Sequence, residues 1–279
     1  MHIVIIGSGT MGTGIAEVGL MAGHHVILTD PEVEVRQRAL VRIQKNLERH
    51  LDKGRLSGDV AHYLRELELH VEGPSTDIHW VIEAVPENLA LKQTLFRRLD
   101  RRYDASVWLS SNTSSIGISR LQTMAKAHPE RIGGLHFFNP VPRMSLVEII
   151  RGFDTHPDYI EAAITLVEGL GKTGIVVPDR PGFLVNRVAR PYYLEALRLV
   201  DESVAPLELV DHVMEGAGFA TDPFRVMDLV GVDVNLSVTQ SVYQQTANDE
   251  RYRPHPWQEL LVEHGYFGQK QARGFYRYE

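Results

Sequence analysis

A glycine-rich loop follows the first apolar segment of the chain. After the run from His2 to Ile6 come Gly7, Ser8, Gly9, Thr10, Met11 and Gly12. The first glycine permits a tight turn from a strand into a helix, the second lets backbone amides approach a pyrophosphate, and the third lets the helix pack closely on the strand. The amino-terminal end of that helix also attracts an anion. The spacing therefore predicts a loop that binds the pyrophosphate of a dinucleotide.

An acidic residue completes this pattern at the end of the second apolar run. The run from His25 to Thr29 leads directly to Asp30, and the dinucleotide-binding fingerprint places an acid about 20 residues beyond the glycines. A carboxylate at that point accepts hydrogen bonds from the adenosine ribose and repels a 2′-phosphate. We therefore predict that the cofactor is NAD rather than NADP.

Two further segments have the residue types of an acid–base centre. Ser110 to Ser115 follows an apolar strand, so its hydroxyls and amides are expected at the carboxyl edge of the sheet, where ligands bind in this architecture. His136 lies in an aromatic strand, and Glu148 lies in the next apolar strand. A carboxylate that pairs with an imidazole fixes its tautomer and makes a general base suited to near-neutral pH. Each segment has an alternative interpretation. The serine segment could be an ordinary turn or helix cap, and His136 could be a buried structural histidine.

The elements that must position these residues alternate along the first part of the chain. Short β-rich runs and amphipathic helical segments follow one another to about residue 178, which is typical of a doubly wound parallel sheet. The predicted strands are Ile3 to Ile6, Val26 to Leu28, Leu67 to Val71, Trp80 to Glu83, Val107 to Leu109, Gly134 to Phe137, Leu146 to Ile150 and Gly174 to Val177.

A charged segment interrupts this alternation between the second and third strands. Residues 32–66 are too many for a simple crossover, and they divide into two helices near Gly54 and Ser57-Gly58. We predict an inserted helical hairpin, which is either a decoration or a cover for a substrate.

The strand signal disappears beyond Asp179, apart from a weak run at Phe275 to Tyr278. Residues 183–202, 206–215, 224–247 with a break near Gly231, and 256–264 are predicted to be helical. The fold class is therefore α/β. A Rossmann-type domain over residues 1–180 is followed by a smaller all-α domain over residues 181–279.

Composition limits the partners and the location that we expect. The net charge of -7 argues against nucleic acid or an anionic membrane as the main partner. The absence of cysteine excludes disulfides and thiolate chemistry, and the 13 histidines include no H-E-x-x-H pattern, so we expect no metal site. No apolar run approaches the roughly 20 residues that span a bilayer, and the chain begins with a core strand rather than a cationic leader. We therefore expect a cytoplasmic protein.

Several motifs, in order along the whole chain, resemble those of the L-3-hydroxyacyl-CoA dehydrogenase family. They are the glycine loop continued to Ala16, Glu83 to Asn88 with Lys92, Ser111 to Ser115, His136 to Pro142 with Leu146 to Glu148, Pro181 to Arg187, Pro223 to Asp233, and Gly274 to Tyr276. A collinear match of this kind is far more specific than any one of its motifs.

The resemblance implies an enzyme that interconverts an L-3-hydroxyacyl-CoA and a 3-ketoacyl-CoA with NAD, such as the short-chain substrate 3-hydroxybutyryl-CoA. By position, it implies that His136 takes the proton of the substrate hydroxyl and that Glu148 orients His136. Ser114 hydrogen-bonds the same oxygen and touches the cofactor, and Asn186 helps to place the substrate at the nicotinamide. It also implies a homodimer formed through the second, substrate-binding domain.

Further positions match residues that line the ligands in the family. The positions that line the cofactor are Glu87, Lys92, Asn139 and Lys270. Lys53, late in the first inserted helix, matches a basic position that contacts coenzyme A, although a solvated helix charge is the alternative. The chain departs from the family pattern at Arg180, Ser145, Asp222 and the sequence from Lys270 to Ala272. None of these departures removes a catalytic group. Together with Arg143, they leave the acyl specificity of the enzyme open.

Other functions are less consistent with these residues. The closest alternative enzyme is a 3-hydroxy acid dehydrogenase whose substrate carries no coenzyme A. Examples are the gulonate-oxidising relatives of this family and the lysine-dependent β-hydroxyacid dehydrogenases. The lysine-dependent enzymes place a catalytic lysine on the first interdomain helix, where this chain has Arg187 and Arg190. A serine hydrolase would need a G-x-S-x-G elbow, which is absent. A nicotinamide-sensing protein without catalysis would not need to retain His136, Glu148, Ser114 and Asn186 together.

Overall fold

The computed structural model describes all 279 residues and divides the chain into two compact units, Met1–Arg180 and Pro181–Glu279. None of the helices has both the length and the apolar character needed to cross a membrane. The elements of the first unit are β1 His2–Ile6, α1 Thr10–Met21, β2 His25–Thr29, α2 Val33–Asp52, α3 Val60–Leu64, β3 Leu67–His70, β4 Trp80–Glu83, α4 Leu89–Arg102, β5 Trp108–Ser111, α5 Ile118–Gln122, β6 Ile132–Phe137, β7 Leu146–Arg151, α6 Pro157–Gly169 and β8 Thr173–Pro178.

The first unit is built on an eight-stranded sheet in the order β3-β2-β1-β4-β5-β6-β7-β8. Strands β1 to β6 pair in parallel, and the central ones are buried on both faces, which explains their continuous runs of valine and isoleucine. The strand order reverses at β1, between β2 and β4. In open α/β sheets ligands bind at such a switch point, outside the carboxyl ends of the strands. The predicted Rossmann-type fold class is confirmed.

The sheet is not wholly parallel, contrary to the expectation from the alternating pattern. Strand β7 runs antiparallel to β6, with His136 opposite Glu148, and β8 is parallel to β7. The connection between β6 and β7 contains no helix. A short connection can join only antiparallel neighbours, because a parallel pair needs a crossover of about a dozen residues or more.

The fifth strand ends later than predicted. It extends to Ser111 because its two serines bond inside the sheet instead of forming a turn. The Ser110 hydroxyl accepts a hydrogen bond from Trp80 Nε1 at 2.6 Å and lies 2.7 Å from the Tyr159 hydroxyl. The polar segment is therefore part structural strand and part loop.

The inserted helical hairpin is present as α2 and α3, separated at the predicted glycines. Helix α2 buries Ala39, Ile43 and Leu47, which are four residues apart and therefore lie on one face. Hydrogen bonds add to this apolar contact: the buried Glu17 carboxylate of α1 accepts from Asn46 Nδ2 at 2.7 Å and lies 3.2 Å from His50 Nε2. The hairpin is thus fixed to the helix that follows the glycine loop.

The second unit is helical, with no strand. Its helices are α7 Val185–Asp201, α8 Leu207–Gly216, α9 Pro223–Val230, α10 Val232–Gln245 and α11 Pro256–Glu263. The predicted break near Gly231 is present, because Gly231 adopts φ of 106° between α9 and α10. Its core includes Leu194, Leu197, Phe224 and Met227.

The weak strand predicted at Phe275 to Tyr278 is wrong. This segment lies on the buried carboxylate of Asp228, which accepts from the amides of Phe275 and Tyr276 at 2.9 Å and from the Tyr278 hydroxyl at 2.8 Å. The amides that a strand would offer to a neighbouring strand are therefore bound by one side chain. Only isolated bridges remain there.

Candidate active site

The three glycines of the loop after β1 are required for different reasons. Gly7 adopts φ of 103°, and a Cβ at Gly12 would lie 1.8 Å from the Gly7 carbonyl oxygen. Both glycines are therefore required by the fold itself. A Cβ at Gly9 would meet no atom of the chain within 4 Å. The space beside Gly9, at the amino-terminal end of α1, fits the pyrophosphate of NAD.

Asp30 lies at the end of β2 and stabilises the same loop. Its carboxylate accepts hydrogen bonds from the Ser8 amide and from the Glu32 amide, both at 3.0 Å. The guanidinium of Arg36 donates to the Asp30 carbonyl oxygen. An arginine thus lies beside the acid that the sequence assigns to the adenosine ribose, and its positive charge reduces the negative potential there.

Glu87 organises the polar loop that follows β5. Its Oε1 accepts hydrogen bonds from the Thr113 hydroxyl at 2.5 Å, from the amides of Ser114 and Ser115 at 3.1 Å, and from the Ser115 hydroxyl at 3.0 Å. Burial raises the pKa of Glu87, but the Lys92 ammonium and these donors outweigh it and leave the pKa below its ordinary value. Glu87 is therefore ionised at neutral pH and holds the serine loop in place.

Lys92 is buried, with 1% of its side chain accessible, and its contact with the cofactor stays a prediction. Its ammonium donates to Glu83 Oε1 at 2.6 Å and to the Val85 carbonyl at 3.1 Å, and lies 3.4 Å from Glu87 Oε2. Burial raises the pKa of the Glu83 carboxyl, which the Lys92 charge and the Ser111 hydroxyl partly offset. Lys92 thus links two carboxylates at the carboxyl edge of the sheet.

His136 and Glu148 form a buried pair across β6 and β7. His136 Nδ1 lies 2.6 Å from Glu148 Oε2, and both side chains are buried. The pair lies near the serine loop because Asn112 Oδ1 accepts the Phe137 amide at 2.8 Å. The ring of Phe138 lies 4.4 Å from that of His136, centroid to centroid. When Glu148 is ionised its oxygens can only accept, so His136 Nδ1 is then the donor of this hydrogen bond and Nε2 is the basic nitrogen.

The remaining predicted residues lie elsewhere. Asn139 is exposed in the segment between β6 and β7, and Lys53 is exposed at the carboxyl end of α2. In the second unit, Asn186 lies in the first turn of α7. Lys270 binds both carboxylate oxygens of Asp233, at 2.6 and 2.7 Å. The ligand contacts of these four residues stay predictions.

Two ionisable residues near the site, Glu83 and Lys172, have contacts there for which the sequence predicted no role. Glu83 carries one weak signal, because an acid ends an otherwise apolar strand. Lys172 carries none, since a single lysine in a glycine-rich turn is ordinarily exposed to solvent. Its ammonium donates to the carbonyls of Val141 at 2.6 Å and Met144 at 2.9 Å and so holds the segment that contains Asn139. Burial lowers the pKa of Lys172, and the nearby Glu17 charge partly offsets that.

A sheet with this strand order and a glycine loop at its switch point defines a dinucleotide-binding protein, and the buried histidine–carboxylate pair at the same edge adds a general base. The class is that of nicotinamide-dependent dehydrogenases. Residues 2–180 match the family described as "3-hydroxyacyl-CoA dehydrogenase, NAD binding domain", and residues 182–278 match "3-hydroxyacyl-CoA dehydrogenase, C-terminal domain". The chain belongs to the 3-hydroxyacyl-CoA dehydrogenase family and is an NAD-dependent oxidoreductase.

Individual relatives match all or nearly all of the chain. A 3-hydroxyadipyl-CoA dehydrogenase of Escherichia coli is 41% identical over 98% of this chain, which spans 58% of that longer protein. A probable 3-hydroxybutyryl-CoA dehydrogenase of Bacillus subtilis is 38% identical, covering 100% of this chain and 97% of the relative. The crystal structure of a 3-hydroxybutyryl-CoA dehydrogenase from Escherichia coli superposes with a TM-score of 0.95 at 39% identity, covering 100% of this chain and 59% of the other. The predicted family, enzyme class and NAD cofactor are thereby confirmed.

Proposed function

We propose that the enzyme oxidises short-chain L-3-hydroxyacyl-CoA esters such as 3-hydroxybutyryl-CoA to 3-ketoacyl-CoA, and catalyses the reverse reduction. The observation that carries this proposal is the buried contact of 2.6 Å between His136 Nδ1 and Glu148 Oε2. Oxidation of a hydroxyl requires a base for its proton. NAD, when bound, accepts the hydride from C3 of the substrate.

The proposed chemistry moves one proton at a defined atom. His136 Nε2 takes the hydroxyl proton as the C3–H bond breaks, and Glu148 stabilises the imidazolium that forms. Ser114 donates a hydrogen bond to the same oxygen, and Glu87 holds the Ser114 amide for this purpose. In the reverse direction His136 begins protonated and returns the proton to the ketone oxygen.

Substrate scope can be tested in one assay series. NADH oxidation is measured with acetoacetyl-CoA, with longer 3-ketoacyl-CoA esters and with free 3-keto acids. The proposal expects the highest kcat/KM with a short CoA ester and little turnover of the free acids. A preference for the free acids would favour the dehydrogenase without coenzyme A, and no turnover of any substrate would contradict the proposal.

The Asp30 assignment predicts a change in cofactor preference. The wild-type enzyme should prefer NAD to NADP, and Asp30→Ala should reduce that preference, because the ribose loses an acceptor while a 2′-phosphate loses a repulsive charge. Arg36 remains in the variant as a cation beside the phosphate. The measurement is kcat/KM with each cofactor. Glu34→Ala, which removes an exposed acid of α2, is the control. A wild-type preference for NADP would refute the assignment.

The Lys53 assignment predicts an effect on the CoA end of the substrate. Lys53→Ala should raise KM for acetoacetyl-CoA and leave turnover of a pantetheine-truncated substrate nearly unchanged, since the truncated substrate lacks the phosphates. Added salt should weaken the attraction in the wild type. Lys45→Ala, an exposed lysine of the same helix, is the matched control. Equal losses with both substrates would show that Lys53 supports the fold instead.

The oligomeric state and location belong to the same proposal. The second unit exposes large apolar side chains such as Val204, Val213 and Leu229, each between 55% and 65% accessible. Apolar surface of this kind supports a homodimer formed through the helical unit. Light scattering should then give twice the mass of the chain. We propose the cytoplasm as its location.

A further inference from the structure

The second unit contains a buried cation without an acidic partner. Arg190, on α7, is 5% exposed. Its Nη1 donates to the Asn235 carbonyl at 2.9 Å and to the Thr239 hydroxyl at 3.2 Å, and its Cζ lies 4.9 Å from the Tyr193 ring centroid. Its Nε is buried with no hydrogen-bond partner. No carboxylate of the chain forms an ion pair with Arg190, so its charge is compensated only by neutral groups.

A buried positive charge of this kind lowers the stability of the fold unless an anion binds to it. Burial lowers the pKa of Arg190 to about 10, which still leaves the guanidinium charged at neutral pH. A buried ion that lacks an opposite charge destabilises a fold, whereas an apolar side chain of similar size often does not. The unpaired Nε shares one edge of the guanidinium with Nη2. A carboxylate binds such an edge through two parallel hydrogen bonds.

The position of Arg190 on its helix relates it to the substrate. Asn186 and Arg190 are four residues apart on α7, so both side chains leave the same face, roughly 6 Å apart. By position, the family resemblance assigns Asn186 to the substrate near its reacting carbon. One helical turn rises about 5.4 Å. A short acyl chain can extend that far from the reacting carbon, and its end can therefore reach Arg190.

We propose that Arg190 binds a carboxylate at the far end of the acyl chain, so that the substrates are 3-hydroxyacyl-CoA esters of short dicarboxylic acids. This inference rests on the proposed function and specifies its substrate class. Asn235 and Thr239 hold the guanidinium through Nη1 and leave the Nε edge for the ligand. A substrate that ends in a methyl group leaves this cation buried and unpaired.

The first test compares two substrates that differ only at the chain end. The wild-type enzyme should reduce 3-oxoadipyl-CoA with a kcat/KM at least about tenfold above that for 3-oxohexanoyl-CoA, the scale of a hydrogen bond to a charged group. Adipyl-CoA should likewise inhibit more strongly than hexanoyl-CoA. This test needs no variant. Equal or reversed preference would overturn the inference and leave the proposed function standing.

The second test removes the charge. Arg190→Met should lower kcat/KM for 3-oxoadipyl-CoA on the order of 10- to 100-fold more than for 3-oxohexanoyl-CoA. Its Tm without substrate should equal or exceed that of the wild type, because a buried unpaired charge is replaced by an apolar chain. Arg190→Lys should restore part of the preference. Arg198→Met, which removes a more exposed arginine of α7, should leave both values unchanged.

Other outcomes separate the inference from the function beneath it. An Arg190→Met enzyme with a lower Tm and equal losses on both substrates would make Arg190 a structural residue of the helical unit. Failure of the wild type to oxidise NADH with either CoA ester would contradict the proposed function instead.

Discussion

Replacing His136 with glutamine is expected to lower kcat by on the order of 10² to 10⁴, the usual effect of removing a positioned general base. The fold and NADH binding should persist, because glutamine can still donate a hydrogen bond to Glu148. NADH affinity is measured by fluorescence titration and turnover with acetoacetyl-CoA. A folded variant with near wild-type kcat would refute the assignment of the base.

The Glu148 variant should lose rate through the same unit. Glu148→Gln leaves the imidazolium without its counter-charge, and the loss should not add to that of His136→Gln, because the two residues act together. The chain offers a matched control in His128→Gln. His128 Nδ1 lies 3.0 Å from Glu130 Oε1, but this pair is exposed. Its removal should not change kcat.

Alanine substitutions in the glycine loop should separate the needs of the fold from those of the cofactor. Gly12→Ala places a Cβ 1.8 Å from the Gly7 carbonyl, so the turn must shift and Tm should fall. Gly9→Ala meets no atom of the chain within 4 Å, and Gly9 has an ordinary φ of -69°. Its Tm should therefore be unchanged, while NADH binding weakens on the order of 10² because the new methyl group occupies the pyrophosphate space.

Gly23→Ala provides the comparison for backbone strain. Gly23 has φ of 76° but no atom near its Cβ position, so its substitution should cost stability without affecting NADH binding. If Gly9→Ala binds NADH as the wild type does, the pyrophosphate does not lie against Gly9. If Gly12→Ala keeps the wild-type Tm, the loop is more adaptable than its close contacts indicate.

Local sequence was sufficient for the parts of this protein that depend on neighbours along the chain. The glycine loop, Asp30 at the end of β2 and the break at Gly231 follow from backbone freedom and strand periodicity over a few residues. The inserted hairpin was predictable because a segment from 32 to 66 exceeds any simple crossover. The family resemblance then supplied roles that no local pattern contains.

Contacts between distant segments could be known only from the folded chain. The pairing of His136 with Glu148 depends on the antiparallel register of β7, and the periodicity of an apolar strand is the same in either direction. The burial of Lys92 and Arg190 was equally hidden, because a charged residue in an amphipathic helix is normally assigned to solvent. Whether such a charge is paired depends on side chains remote in sequence: Glu83 and Glu87 surround Lys92, whereas no acid reaches Arg190.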